Sequence, residues 1–290
     1  MSRESAFIEA LRGIATQPAA RGLNDDAAVL EFGGEALVLT HDAIALGTHF
    51  RADADPADLA WRLVATNLSD LAAKGAEPLG VLVGYQLGDD EARFAEGLAE
   101  ALEHYDTPLL GGDTFAAAEG RVLGLTAIGR ATHRPVPSRS GAKPGDTVWV
   151  TGKLGAALAA FEALDNPEAT DADTLAYRRP VALIAEGRAL APHVTAMMDI
   201  SDGLLLDASR LAKASDVTLS LASAAIPIAL SVARRDEALR WGDDYQLLFT
   251  LTEGFGPPIA ATRIGQTEPP GSANLLLDGR PARDPLGYEH

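Results

Sequence analysis

Residues 78–129 read PLGVLVGYQLGDDEARFAEGLAEALEHYDTPLLGGDTFAAAEGRVLGLTAIG. The opening apolar run is long enough for a buried strand and too short for a helix of ordinary length. Phe94, Leu98, Leu102 and Tyr105 then recur at the spacing of one helix face. PLLGGDT and RVLGLTAIG follow as two further strands. Strand, helix, strand, strand within one stretch predicts an α/β or α+β domain.

Upstream, DAAVLEF and EALVLT are joined by Gly33 and Gly34, which predicts a β-hairpin. Asp55 before Pro56 is a helix start, and Leu59, Ala60, Leu63 and Val64 carry an amphipathic pattern on toward Gly75. Phe7, Ile8, Leu11 and Ile14 predict an earlier helix rather than the apolar core of a signal peptide. Downstream, THRPVPSRSGAKPGD is rich in Pro, Ser and Gly, and the domain boundary is placed there, giving domains 1–135 and 136–290. The second half alternates again: strand DTVWVTG, a helix starting at Gly155, a helix over 181–190, strand and helix in AMMDISDGLLLDASRLAKAS, then strands VTLSLA, DYQLLFT and NLLLD. Periodicity does not give strand order.

The chain has 290 residues, no cysteine, and 41 acidic against 24 basic residues, a formal charge of −17. Disulfides, thiolate metal sites and cysteine nucleophiles are excluded. Such a charge opposes binding to a nucleic-acid backbone, and no run is long enough for a membrane span, so a cytoplasmic protein is expected. There is no Walker loop, Gly-x-Gly-x-x-Gly, HExxH or Gly-x-Ser-x-Gly.

What recurs is aspartate in small-residue company: NDDAAV, THD, NLSD, GGDT, DISDG and GDDY. Any one of these has a local alternative, because Asp caps helices and hydrogen-bonds within turns. Asp70 lies inside a helical pattern, where it is either a functional carboxylate or an exposed partner of Lys74 four residues on. Asp199 and Asp202 flank a strand end, where capping by Ser201 or Asp202 is the alternative. Carboxylates that converge to ~4 Å repel by about 4 kcal/mol at an effective dielectric near 20, so a convergent set needs cations. Oxygen ligands without Cys or clustered His select Mg²⁺ or another hard ion.

Taken in order, NDDAAV, LTHD with GTHF, NLSDLAAKGAEP, GGDT, SRSGAKPGD, VTGKLG, DISDGLLLD and GDDYQLLFT resemble the thiamine-monophosphate kinase family. The resemblance runs from about Gly22 to the terminal GYEH. It implies the two-domain fold of the aminoimidazole ribonucleotide synthetase-like superfamily, with N-terminal strands forming a barrel across a homodimer. It implies that ATP phosphorylates thiamine monophosphate directly, with several Mg²⁺ ions between the two phosphates. Metal positions carried over are Asp25, Asp26, Thr40, His41, Asp42, Asp70, Asp113, Asp199 and Asp202, with Asp70, Asp113 and Asp202 central to catalysis. ATP contacts fall on Tyr105, Gly112, Asp113, Arg139 and Ser201, and substrate contacts on His49, Asp243 and Tyr288. The alternative for Tyr105 is packing on a helix face, and for His49 an ordinary surface or core histidine. The chain departs from the family at Asn24, a glycine elsewhere, at His41, a Thr or Ser elsewhere, and at Asp243, a Glu elsewhere; Tyr288 stands in for a covering terminal aromatic. Another ATP-dependent enzyme of the superfamily, or a noncatalytic metabolite-binding homologue, are the alternatives.

Overall fold

The Gly33–Gly34 turn joins β1 (Ala28–Phe32) to β2 (Glu35–Ala45) as an antiparallel hairpin with Val29 opposite Val38. This is a computed structural model, and it describes residues 3–289. A short helix α1 (Arg3–Arg12) precedes the hairpin, and α2 (Pro56–Ala73), β3 (Ala76–Gln86), α3 (Glu91–His104), β4 (Leu109–Phe115) and β5 (Val122–Ala131) follow. The five strands form one sheet in the order β1-β2-β5-β3-β4, with β3 and β4 parallel and the other pairs antiparallel.

The second half contributes β6 (Thr147–Val150), α4 (Ala156–Ala163), α5 (Asp171–Arg178), α6 (Ile184–Leu190), β7 (Ala196–Ile200) and α7 (Leu204–Ser215). It continues with β8 (Thr218–Leu221), α8 (Arg235–Arg240), β9 (Gln246–Leu251), β10 (Thr262–Glu268), β11 (Leu275–Leu277) and β12 (Arg280–Pro281). Its seven strands form a second sheet, β12-β11-β8-β10-β6-β9-β7, and among the described residues no strand is shared with the first. The mixed α/β architecture expected from the strand and helix alternation is present. Four further elements, α5, α8, β10 and β12, are not legible in the sequence, being short or largely polar.

Helix α2 is the element on which both halves converge. Pro56 opens it and the Asp55 carboxylate accepts from Ala57 N at 2.9 Å, so the start is capped as expected. One face packs on β2 and β5, while other faces meet α3, α6 and β7. Leu63, Val64, Leu68 and Leu71 are fully buried, each stabilising the fold by about 2 kcal/mol through area removed from water. The amphipathic expectation was therefore too mild. Arg62, Asn67, Ser69, Asp70 and Lys74 are buried as well, and buried polar groups persist only with partners. Asn67 donates to Leu63 O and accepts from Asp42 N, each at 2.9 Å, and the other four are paired around the cavity between the two halves.

The apolar stripe expected over Phe7, Ile8, Leu11 and Ile14 is only partly covered, with Phe7 and Ile14 exposed and Ile8 and Leu11 half-buried. Among the described residues no helix is long and apolar enough to cross a membrane.

Candidate active site

Alternation along β2 turns Thr40 and Asp42 toward α2, because successive strand side chains point to opposite faces. On α2, Thr66, Ser69 and Asp70 lie three and four residues apart and face one side. Strand β7 ends there too and delivers Asp199, then Ser201 and Asp202 just beyond it. Asp25 and Asp26 come from the loop before β1, and Arg139 from the irregular segment between the two sheets. Apart from Thr40 and Ser69, which reach it only through Asp70 and Asp199, these residues line a cavity of about 570 Å³ between the two halves, a size usual for a small-molecule site.

Within it, Asp26, Asp70 and Asp199 each place a carboxylate oxygen within 4.8 Å of the others. Thr40 Oγ1 donates to Asp70, and Ser69 Oγ donates to Asp199 Oδ2 at 2.6 Å. Arg139 Nε donates to Asp26 Oδ1 at 2.6 Å, while Lys74 Nζ stands 2.6 Å from Asp26 Oδ2. Asp26 Oδ2 is buried and has a close ammonium but no well-aligned hydrogen bond. At that separation each like-charged pair costs about 3 kcal/mol at an effective dielectric near 20.

The proton affinities follow from this crowding. Burial first, then Asp42, Asp199 and Asp26, push Asp70 well above the usual carboxylate range. Burial, with Asp26 next, raises Asp199 to about 8. Asp42 is raised by burial too, with Asp202 and Asp26 adding to it against His41. Asp25 goes the other way: burial favours its neutral form, but Lys74 and Arg21 together outweigh that and lower it to about 2. Burial works against the Lys74 charge as well, and Asp26 and Asp25 overcome it, so Lys74 stays protonated.

A raised carboxylate favours the folded state when protonated, so its stabilisation is full below 3.8 and fades up to its folded value. Asp199 near 8 and Asp207 near 6 give the window. Metal-free protein is therefore expected to lose thermal stability as pH rises from about 4 to about 8. Melting curves in a chelator test this, and a rise across the window would contradict the assignment.

Asp70 is buried and does not pair with Lys74, whose ammonium turns to Asp25 and Asp26 instead. Neither Ser201 nor Asp202 caps α7; the buried Asp207 reaches back to accept from both of their backbone N–H groups, at 3.1 and 3.0 Å. That leaves the Ser201 side chain at the cavity, and Asp202 there with Arg210 paired to it.

His49, Asp243 and Tyr288 line the same cavity. His49 Nδ1 accepts from Ala45 N at 3.0 Å, which puts the proton of a neutral ring on Nε2. Asp243 pairs with the buried Arg62 at 2.6 Å and accepts from Tyr245 Oη at 3.1 Å. The preceding Gly242 passes so close that a Cβ would lie 2.1 Å from Ser201 O, so only glycine brings this loop to the end of β7. Tyr288 N donates to Asp202 O at 3.0 Å, which docks the C-terminal segment at the cavity mouth.

Besides Thr40, which meets the cavity only through Asp70, four of the carried-over positions are not brought to it within this chain. His41 alternates to the opposite face of β2, where Nδ1 meets Thr126 Oγ1 at 2.9 Å. Asp113 and Gly112 lie on the exposed edge strand β4, with β3 and β5 between them and β2. A Cβ at Gly112 would sit 1.9 Å from Val83 O, so this glycine is needed for strand pairing itself. Tyr105 packs against Trp61 and accepts from Ala182 N at 2.9 Å.

Supporting residues that sequence reading did not single out are Ser69, Arg62, Asp207, Arg210 and Tyr245. The available signal was polarity inside the apolar pattern of α2, and in DGLLLD the first-turn Asp of α7; neither reveals a partner.

Family profiles match both halves: one described as AIR synthase related protein, N-terminal domain, over residues 24–131, and its C-terminal counterpart over 143–257. The thiamine-monophosphate kinase of Escherichia coli strain K12 is 37% identical over 303 aligned residues, covering 93% of this chain and 91% of the relative. A solved structure described as AaThiL complexed with AMPPCP and TMP superposes with a TM-score of 0.89 at 29% identity, over 99% of this chain and 96% of the other. The thiamine monophosphate kinase of Aquifex aeolicus gives 0.82 at 28% identity, over 97% and 99% of the two chains. With two sheets clasping an aspartate-lined cavity, and likeness of this extent along nearly its whole length, the chain belongs to the thiamine-monophosphate kinase family.

Proposed function

We propose that this protein transfers the γ-phosphoryl group of ATP to the phosphate of thiamine monophosphate, giving thiamine diphosphate and ADP. The observation that carries the reading is the cavity in which Asp26, Asp70 and Asp199 meet, in a chain 37% identical to a thiamine-monophosphate kinase. The acceptor phosphate is largely dianionic at neutral pH, its second pKa being about 6, so no general base is required. The difficulty is bringing two polyanions together, which positioning and fixed charge can solve.

The donor set fits Mg²⁺: hard oxygen ligands, mutual repulsion, and a buried Asp26 oxygen without an aligned donor. Asp26, Asp70 and Asp199 would hold such ions, with Asp42 and Asp202 beside them. When bound, the ions supply neutralisation of phosphate charge. Arg139, held at its carbonyl by Ser215 Oγ at 2.9 Å, is placed to take a nucleotide phosphate once ions occupy Asp26. At the other end Asp243, His49 and Tyr288 would receive thiamine monophosphate.

Incubation with ATP, Mg²⁺ and thiamine monophosphate should yield thiamine diphosphate and ADP in equal amounts. Binding of both substrates without product would overturn the kinase reading.

We also assign a homodimer, a domain division at 135/136 and a cytoplasmic site. The division is supported by sheets that share no strand. The dimer is supported by β3, β4 and β5, which leave Leu82, Leu109, Leu110, Phe115 and Val122 exposed beside an uncovered edge. It would also give Asp113 a role. Three strand spacings, about 14 Å, separate it from β2 in its own chain, so it would act in a partner's site. Light scattering should report a dimer, and mixed Asp70→Asn and Asp113→Asn subunits should regain activity that neither has alone. A mixture as inactive as its parents would place Asp113 elsewhere.

A further inference from the structure

Lys74 ends α2, and its side chain is fully buried. Its ammonium has three acceptors around it: the Asp25 carboxylate, Asp26 Oδ2 at 2.6 Å and Met197 O at 3.4 Å. The Asp25 and Met197 contacts are hydrogen bonds, whereas Asp26 Oδ2 is held as an ion pair without an aligned N–H. Asp25 is in turn engaged by Arg21 and by Arg139 N, at 3.2 Å for the latter. Asp26 therefore stands with one flank against a fixed positive charge and the other toward Asp70 and Asp199, whose oxygens lie within 4.8 Å of its own.

We propose that Lys74 is a resident cation of the ion-binding centre, a positioning residue whose fixed charge takes the place of part of the divalent charge the aspartates would otherwise attract. The proposal rests on the metal reading above. Its physical content is charge balance. Lys74 shares Asp25 with Arg21 and stands against Asp26, so it sets how many ions the centre takes and how tightly. A merely structural ammonium would hold the end of α2 to the Asp25–Asp26 loop and leave ion binding unchanged.

The test is titration of metal-free protein with Mn²⁺, counting free ion by its paramagnetic resonance signal. Lys74→Met is expected to bind the ion about tenfold more tightly than wild type, or to take one ion more, because a nearby positive charge is gone. Lys74→Met with Asp25→Asn removes one charge of each sign and should return toward wild type. Asp25→Asn alone should weaken binding about tenfold, since Lys74 then acts on Asp26 alone. If Lys74→Met folds only when Mn²⁺ is added, the ion has taken over the role of the ammonium and the proposal stands. If it does not fold at all, the Asp25→Asn result decides. Affinities and stoichiometries equal to wild type in the variants that fold would overturn the proposal while leaving the metal reading intact. Wild-type protein that binds no Mn²⁺ would overturn both.

Discussion

Asp70→Asn should abolish turnover, by about three orders of magnitude, while the protein stays folded. The carboxylate lies at the meeting point of β2, α2 and β7, accepts from Thr40 Oγ1, and has Asp26 and Asp199 oxygens within 4.8 Å. Asparagine keeps an acceptor for Thr40 but removes the charge that would draw ions between the two phosphates. It also mimics the protonated form that burial and its acidic neighbours favour in metal-free protein. The melting temperature without divalent ions should therefore equal or exceed that of wild type at pH 8, whereas the stabilisation that Mg²⁺ adds should disappear. Steady-state formation of thiamine diphosphate and melting curves with and without Mg²⁺ check the two halves separately. Retained kcat would remove Asp70 from the catalytic set.

Arg62→Met should combine a loss of stability with a selective loss of substrate affinity. The guanidinium is buried within α2, pairs with Asp243 at 2.6 Å, donates to Tyr177 O at 2.6 Å, and stacks over the Tyr177 ring at 4.3 Å. Removing the guanidinium costs about 2 kcal/mol, chiefly because the buried Tyr177 carbonyl loses a charged donor and the ring loses its stacked cation. Asp243 is held in the left-handed region, φ 65°, partly by this pair. Freed, it should raise KM for thiamine monophosphate about tenfold with KM for ATP unchanged. Arg62→Lys keeps the charge without the planar fork or the stacking, and should fall between the two. Urea midpoints and the two KM values are the measurements. An unchanged KM for thiamine monophosphate would detach Asp243 from substrate binding.

The Arg62 and Lys74 cases show why part of the site escaped the sequence. In WRLVATNLSDLAAKG the apolar periodicity marks a helix, and Asp70 looks anomalous within it. Nothing local tells whether Lys74 answers Asp70 four residues back or reaches a carboxylate 48 or 49 residues away, as it does. Asp207 is similar. The turn after β7 advertises Ser201 and Asp202 as caps, yet the carboxylate that satisfies those N–H groups comes from farther into α7. Missed elements have a plainer cause: TRIGQTE in β10 is mostly polar, and pairing with β6 and β8 rather than its own composition makes it a strand.

By itself the sequence determined the alternating strands and helices, the hairpin at Gly33, the start of α2, the absence of thiol chemistry and the family, since these depend on spacing and on ordered motifs. Tertiary structure alone decided the strand order, the burial of α2 on every side, and which carboxylates share a cavity. It also turned His41 to the far face of β2 and left Asp113 on an outer edge. The reason is range: periodicity and capping act over a few residues, whereas charges interact across whatever distance folding leaves between them, and that distance exists only once both sheets have closed on α2.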